Sequence, residues 1–191
     1  GNYLDLTKKT KKNYFLKKRN LNYGKQFLFG LTSGSTSEPK VPIWSQNVKI
    51  LRGKHAKKIY HLNNKDKIVL STPMYHSISF RLVVLSIVLG STCVILKKFN
   101  VNEWFNTIKK WQITFSILVS DQIEMISSNL NTTAYKRITS LKKLVSCCSP
   151  LKQKIKEKLI KQNYFEIFDT YGASEVGTIT NINLKKEIKK I

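Results

Sequence analysis

The 191 residues are 41% apolar and 10% aromatic, a composition that supports one ordinary globular domain with a full core and excludes disorder as the default state. Thirty-four basic against 11 acidic side chains leave a formal charge of +23, which raises nucleic acid, anionic membranes and acidic proteins as partners. The longest apolar run, Leu82 to Leu96, is broken by Ser86, Gly90, Ser91 and Thr92 and falls short of the roughly 20 apolar residues that span a bilayer, so no membrane span is expected. No secretion signal opens the sequence, and the expected compartment is the cytoplasm. Cys93, Cys147 and Cys148 include an adjacent pair but no CxxC spacing and no nearby His partner, so neither a disulfide framework nor a zinc site follows.

The charge is unevenly spread. Lysines cluster at Lys8 to Arg19 and Lys185 to Lys190, near the two ends, and elsewhere stand singly on helix surfaces. The chain is also rich in Asn and Ile, so a coding bias toward Lys, Asn and Ile accounts for much of the excess. Residues 1–24 are lysine-rich and weakly patterned and are read as a basic peripheral segment, with the core at 25–191.

Within that core, β-type runs alternate with helical periodicity, the pattern of an α/β fold with a mostly parallel sheet and crossover helices. A first strand is predicted over Gln26 to Thr32. Beyond a loop, Val48, Leu51, His55, Ile59 and Leu62 recur at three- and four-residue steps, an apolar helix stripe opposite Lys54, Lys57 and Lys58, with Ser45 as N-cap. A strand near Lys67 to Ser71, a buried helix near Phe80 to Leu89 and a strand near Thr92 to Leu96 follow. Asn100 with Glu103 three residues on starts a helix, Ile113 to Val119 reads as a buried parallel strand, and Asp121 with Glu124 opens the next helix. Strand Leu144 to Cys147 leads to Ser149 and Pro150, an N-cap and first-turn proline ahead of Leu151, Ile155 and Leu159. Two β-runs, Tyr164 to Asp169 and Val176 to Ile182, flank a turn.

Two of the connecting segments carry chemistry. Leu31 to Lys40 reads LTSGSTSEPK: small residues let backbone N–H groups turn toward an anion, hydroxyls add donors, and Lys40 adds a mobile charge, all suited to phosphate. It is not the Walker pattern, since GxxxxGK[ST] is absent. Tyr171 to Glu175 reads YGASE and offers a flat aromatic face, a hydroxyl and a hard oxygen ligand in five residues.

In this order the two segments resemble the signatures of the adenylate-forming (AMP-binding) superfamily, which includes acyl- and aryl-CoA ligases, luciferases and the adenylation domains of peptide synthetases. The first is similar to TSG[ST]TGxPK, with Ser37 where glycine is usual; the second is similar to YGxTE. Pro73 to Ser79, PMYHSIS, and Ser146 to Leu151, SCCSPL, resemble two further family segments, the second with Cys147 and Cys148 in place of glycines.

The resemblance implies that Thr32, Ser33, Gly34, Ser35 and Thr36 wrap the ATP phosphates while Lys40 reaches the β- and γ-phosphates. Cys147, Cys148, Ser149 and Pro150 would form a shelf under the adenine, and Thr170, Tyr171, Gly172, Ala173 and Ser174 would complete the nucleotide site. Tyr171 would stack on the base and Ser174 would meet the α-phosphate. Glu175 would hold Mg²⁺ and His76 would lie beside the acid, so that His76, Glu175 and Lys40 form the catalytic set. A rival role for Cys148 as nucleophile lacks an evident base in the sequence.

The implied protein is a fragment of the large N-terminal domain of an ATP-dependent ligase. Complete members of the family are more than twice this length and carry a later ribose-binding aspartate, a hinge and a small lysine-bearing domain, so this fragment alone is expected to be inactive. A carboxylate attacks the α-phosphate of ATP to give acyl-AMP and pyrophosphate, and CoA or the phosphopantetheine thiol of an acidic acyl carrier protein takes the acyl group. Amino acid adenylation is the alternative, disfavoured because no Asp stands near Tyr75, His76 and Ser77, which leaves a fatty or aryl acid. A basic nucleic-acid-binding module and a degenerate nucleotide binder are the readings from other classes.

These expectations make the charge largely incidental. Duplex DNA binding should be weak, sequence-blind and steeply lost with added salt, as a fluorescence anisotropy titration would read. Removing residues 8–19 and 185–190 should take away most of it and leave ATP affinity unchanged.

Overall fold

In a computed structural model of the chain, residues 24–30, 41–129, 138–162 and 165–187 are described. A short antiparallel pair, β1 (Gln26–Phe29) and β2 (Ile43–Ser45), precedes helix α1 (Gln46–Ile59). The main body then alternates: β3 (Lys67–Leu70), α2 (Ser77–Leu89), β4 (Thr92–Ile95), α3 (Val101–Trp111), β5 (Phe115–Val119), α4 (Ser120–Asn129), β6 (Lys143–Cys147), α5 (Gln153–Gln162) and β7 (Glu166–Ala173). A hairpin adds β8 (Gly177–Asn183), and one turn of helix, α6 (Leu184–Glu187), follows.

The six-stranded sheet has the order β4-β3-β5-β6-β7-β8. Strands β4 to β7 run parallel, and β8 closes the edge antiparallel to β7. This is the α/β, mostly parallel architecture that the alternation of runs predicts. Helices cover both faces, so alternate side chains of each strand enter different cores. Ile68, Leu70, Phe115, Ile117, Val145 and Phe168 pack with α1 and α2. Val69, Leu118, Leu144 and Ile167 pack on the other side with Trp104, Phe105 and Ile108 of α3 and with Leu159 of α5. Burial on both faces is why these strands read as continuous apolar runs rather than alternating ones. Among the described residues no helix is long and apolar enough to cross a membrane.

Several local readings hold. Ser45 caps α1, its Oγ accepting from the Val48 N–H at 3.3 Å, and the Asn100 side chain accepts from the Glu103 N–H at 3.1 Å. Others need correction. Strand β1 stops at Phe29, and residues 31–32 lie outside the described set. Helix α2 starts three residues before the expected Phe80, at Ser77. Asp121 lies inside the first turn of α4, which begins at Ser120, while Glu124 pairs with Lys152 at 3.0 Å. Ser149 and Pro150 do not open α5, which starts at Gln153. The Ser149 carbonyl accepts from the Ser120 hydroxyl, and the carbonyl of Lys152 takes the first helical N–H groups, those of Ile155 and Lys156. Strand β2 and helix α6 were not expected.

The largest correction concerns α1. Leu51, on the predicted apolar stripe, is 53% exposed and His55 is exposed as well. The buried face carries Lys49, Gly53 and Ala56, continuing to Tyr60 at the C-cap. Small size decides the face: a Cβ on Gly53 would stand 3.2 Å from Val88 of α2, so α1 can lie this close to α2 only along its small residues.

At the amino end of the sheet, buried Asp66 ties the chain together. One carboxylate oxygen accepts from the Asn63 N–H at 2.8 Å and the other from the Thr114 hydroxyl at 2.7 Å, and Thr114 Oγ1 accepts from the Lys67 N–H at 3.0 Å. Thr114→Val keeps the shape and removes the hydroxyl, leaving two polar groups short of a partner. It should lower unfolding free energy by about 2–3 kcal/mol. Ser116→Ala, which removes only a 3.4 Å contact from the Trp104 indole, should change it by about 1 kcal/mol or less. Denaturant midpoints of the two variants compare them directly.

Candidate active site

A cavity of about 110 Å³ opens beyond the carboxyl ends of β6 and β7, against the first half of α2. Parallel α/β sheets place ligands at this edge because the connecting loops, free of ladder bonds, converge there. Cys147, Cys148, Thr170, Gly172, Ala173 and Ser174 form one wall. These residues, expected in two separate segments of sequence, are brought together by the pairing of β6 with β7.

The YGASE segment forms the end of β7 and the turn into β8. Its geometry depends on Gly172, whose register partner is Thr178 and which sits beside a register shift. A Cβ there would meet the Gly177 carbonyl oxygen at 2.1 Å, so the strands close only over glycine. Tyr171 is 68% exposed, leaving its ring available to a base. The Ser174 hydroxyl lies 3.1 Å from that of Ser77, at the start of α2. Thr170 is committed inward: its hydroxyl donates to Asn181 Oδ1 at 2.6 Å and lies 3.1 Å from the Tyr60 hydroxyl. Tyr60 in turn packs against Phe115 and Phe168 at ring separations of 5.3 and 5.2 Å.

Glu175 is exposed, and its place is set through the main chain. Arg52 of α1 donates from Nη1 to the Ser174 carbonyl at 2.9 Å and from Nη2 to the Glu175 carbonyl at 2.5 Å. A single outward carboxylate on a clamped turn suits Mg²⁺, which takes one or two carboxylates and fills its remaining positions with phosphate oxygens and water. Cys148 has φ +77°, a left-handed conformation that glycine adopts without strain and that burdens a side chain. Its sulfur stands 4.0 Å from that of Cys147. The contact with the Cys148 sulfur, and then burial, push the Cys147 thiol up, and the same contact brings Cys148 down to about 7, so Cys148 ionises first.

Three cations missed by the sequence reading complete the cavity: Lys49 and Arg52 from α1 and Arg81 from α2. Buried Lys49 holds its Nζ 3.7 Å above the centre of the Trp44 ring. Burial, then Arg52 and Arg81, bring its pKa down to about 8. Arg81 donates from Nη2 to the Thr178 hydroxyl at 2.5 Å, and its buried Nε has no hydrogen-bond partner among the described residues. One signal was available: Arg81 is the only charged residue of the otherwise apolar helix SISFRLVVLSIVL. Lys49 and Arg52 were hidden by the misassigned face of α1.

Other expected residues fall elsewhere. His76 is the N-cap residue of α2, exposed, with its ring 4.5 Å from that of Tyr75, and the cavity wall is taken by the next residue, Ser77. Ser149 and Pro150 are exposed beyond the cysteine pair. Thr32, Ser33, Gly34, Ser35, Thr36 and Lys40 lie outside the described residues.

Similarity to known proteins falls in one group. The chain is 35% identical to long-chain fatty acid transport protein 6 of Mus musculus over 88 residues, 46% of this chain and 14% of that protein. It is 24% identical to 4-coumarate–CoA ligase 3 of Arabidopsis thaliana over 126 residues, 65% of this chain and 22% of that one. Among solved structures, o-succinylbenzoate coenzyme A synthetase of Bacillus subtilis, in complex with ATP and magnesium ion, superposes with a TM-score of 0.80 at 17% identity. The superposition covers 88% of this chain and 35% of the synthetase, and it shows the fold. The chain thus spans a minor part of the length of these relatives. The AMP-binding enzyme family profile matches residues 21–191, and the chain belongs to that family.

Proposed function

We propose that the whole protein is an ATP-dependent, AMP-forming ligase, and that this chain supplies its nucleotide phosphate site and part of its acid site. The observation that carries the reading is the clamped turn: Arg52 grips the Ser174 and Glu175 carbonyls, which presents a hydroxyl and a carboxylate side by side at the mouth of a cavity. The family membership gives that pairing its sense. Tyr171 stacks on the adenine and the Cys147–Cys148 wall underlies it. Ser174 meets the α-phosphate, and residues 32–36 with Lys40 take the β- and γ-phosphates.

The reaction needs little covalent work from the protein. One carboxylate oxygen of the acid forms a bond to the α-phosphorus as the bond from that phosphorus to the bridging oxygen breaks, and pyrophosphate leaves with its electron pair. The chain holds the two reactants in line and sets positive charge and N–H donors where negative charge builds. Mg²⁺, held through Glu175, would neutralise phosphate oxygens. His76, exposed at the cap of α2, would meet the incoming acid from outside the cavity. A thiol, of CoA or of an acidic acyl carrier protein, then takes the acyl group, and the cytoplasm is the compartment that supplies both.

An acid without an α-amino group, such as a fatty or aryl acid, is a better fit than an α-amino acid. Lys49, Arg52 and Arg81 surround the cavity with like charge, which repels an ammonium group.

The full-length protein should exchange labelled pyrophosphate into ATP only with Mg²⁺ and its cognate acid present. Exchange without any acid, or none across fatty, aryl, dicarboxylic and amino acids, counts against the reading. Glu175→Gln replaces the anionic ligand by an amide of equal size. It should lower the exchange rate by about a hundredfold with the melting temperature little changed. A variant that melts early and keeps its specific activity would make Glu175 structural.

A further inference from the structure

The cavity behind the Ser174 turn brings apolar side chains and positive charge together. Its inner wall carries Ile78 and Val84 of α2, apolar side chains one and two turns along the helix, and beside them the three cations Lys49, Arg52 and Arg81. None of the three forms a salt bridge with a carboxylate of the described residues; the ion pairs found there, Lys152 with Glu124 and Lys156 with Asp169, lie elsewhere. Arg52 is near Glu175, yet its hydrogen bonds go to main-chain carbonyls. Lys49 is buried under the faces of Trp44 and Phe80, at 3.7 and 5.8 Å from their ring centres. Arg81 keeps Nε buried and unbonded while Nη2 is anchored on Thr178.

Gathering three like charges, Lys49 buried and Arg52 and Arg81 half-buried, is unfavourable unless an opposite charge joins them. Desolvation and mutual repulsion already strip Lys49 of part of its affinity for a proton, and an anion in the cavity would reverse both effects. Arg81, anchored through Nη2 on Thr178, has its guanidinium plane fixed, which suits a carboxylate accepting in that plane. The volume, about 110 Å³, is well below the roughly 300–1,000 Å³ of pockets for drug-sized ligands, so it takes a short group and not a long alkyl chain.

We propose that this cavity holds a second, non-reacting carboxylate of the acid substrate, held by Arg81 with Lys49 and Arg52 behind it, so that the protein activates short dicarboxylic acids in preference to acids with an uncharged tail. The proposal rests on the ligase reading above and adds the substrate class to it. The apolar side chains of Ile78 and Val84 line the path of the intervening methylene groups. The reacting carboxylate stays at the Ser77–Ser174 end, where the two hydroxyls stand 3.1 Å apart. Arg81 acts as a binding and specificity residue and takes no part in bond making.

The test uses pyrophosphate exchange by the full-length protein with glutaric and adipic acids, each compared with its monoamide, which has the same shape and no second charge. The diacid should exceed the monoamide in kcat/KM by about tenfold or more, equivalent to about 1.4 kcal/mol. The ratio should collapse toward unity in Arg81→Gln, survive in part in Arg81→Lys, and fall in Lys49→Met, which serves if Arg81→Gln does not fold. A wild-type ratio near unity with exchange intact would overturn the proposal and leave the ligase reading standing. So would an Arg81→Gln variant whose KM for ATP rises while the ratio holds, because the cations would then serve the phosphates. If no acid supports exchange, the ligase reading fails, and glutarate binding is read directly from the melting temperature. A stabilisation lost in Arg81→Gln would support the anion site, and its absence would overturn it.

Discussion

Gly53 and Ala56 lie where α1 meets α2, and the tight approach they permit governs what α1 can deliver. A helix that lay one side chain farther out could not place its N-terminal turns beside the β7–β8 hairpin. Because the contact runs along one face, the residues in line with it are carried inward at both ends. Tyr60 enters the core at one end and bonds to the Thr170 and Asn181 side chains, fixing the base of the hairpin. At the other end Lys49 is drawn under Trp44, and Arg52, at the edge of the same face, reaches the carbonyls of the turn. The helix thereby holds the hairpin at its root and at its tip, and the candidate-site residues of β7 lie between these two fastenings.

The electrostatics follow from that placement. A lysine removed from water loses hydration worth several kcal/mol, and its contact with an aromatic face returns only about 0.5–2 kcal/mol. Arg52 recovers more, since both arms of its fork find carbonyl oxygens with short, directed bonds. Arg81 makes one such bond, to the Thr178 hydroxyl. The stabilisation needed to hold this group comes from elsewhere in the molecule, from the paired cores on the two faces of the sheet, where fully buried Trp104, Phe105, Phe115, Ile68 and Leu82 contribute about 1.5–3 kcal/mol each. Rigid cores and a locally unfavourable site are the usual division of labour in proteins that bind charged ligands.

Much of the fold was legible in the sequence for a simple reason. Strands buried on both faces show as uninterrupted apolar runs, and caps such as Ser45 and Asn100 depend on atoms only three residues away. The YGASE segment stood out because the residue types that suggest chemistry lie within five positions. The face of α1 was not, because periodicity weighs Leu51 and His55 by hydrophobicity while the packing was decided by the small volume of Gly53 and Ala56. The start of α5 was misplaced because the Ser149 carbonyl answers to Ser120, a residue far away in sequence. The cationic wall needed three residues from two helices to be seen at once; only Arg81, alone in its apolar helix, carried a hint. His76 followed from its segment, yet the cavity wall fell to its neighbour Ser77, since the extended conformation of an N-cap residue turns successive side chains to different sides.

The β1–β2 pair bears on how the two flanks of the segment 31–40 are held. Phe29 pairs with Ile43, the Gly30 N–H donates to the Pro42 carbonyl at 3.1 Å, and the bare α-carbon of Gly30 lies against the Trp44 ring, where a Cβ would come within 2.5 Å. The residues that flank 31–40 are therefore held together by the fold itself. Ring closure of a ten-residue stretch carries an entropic penalty that grows with the logarithm of its length; here the fold has already met it, and Trp44 meets it with the same ring that shelters Lys49. The two flanks need not be brought together again by anything that binds there, so that share of the entropy is lost in folding and not on binding.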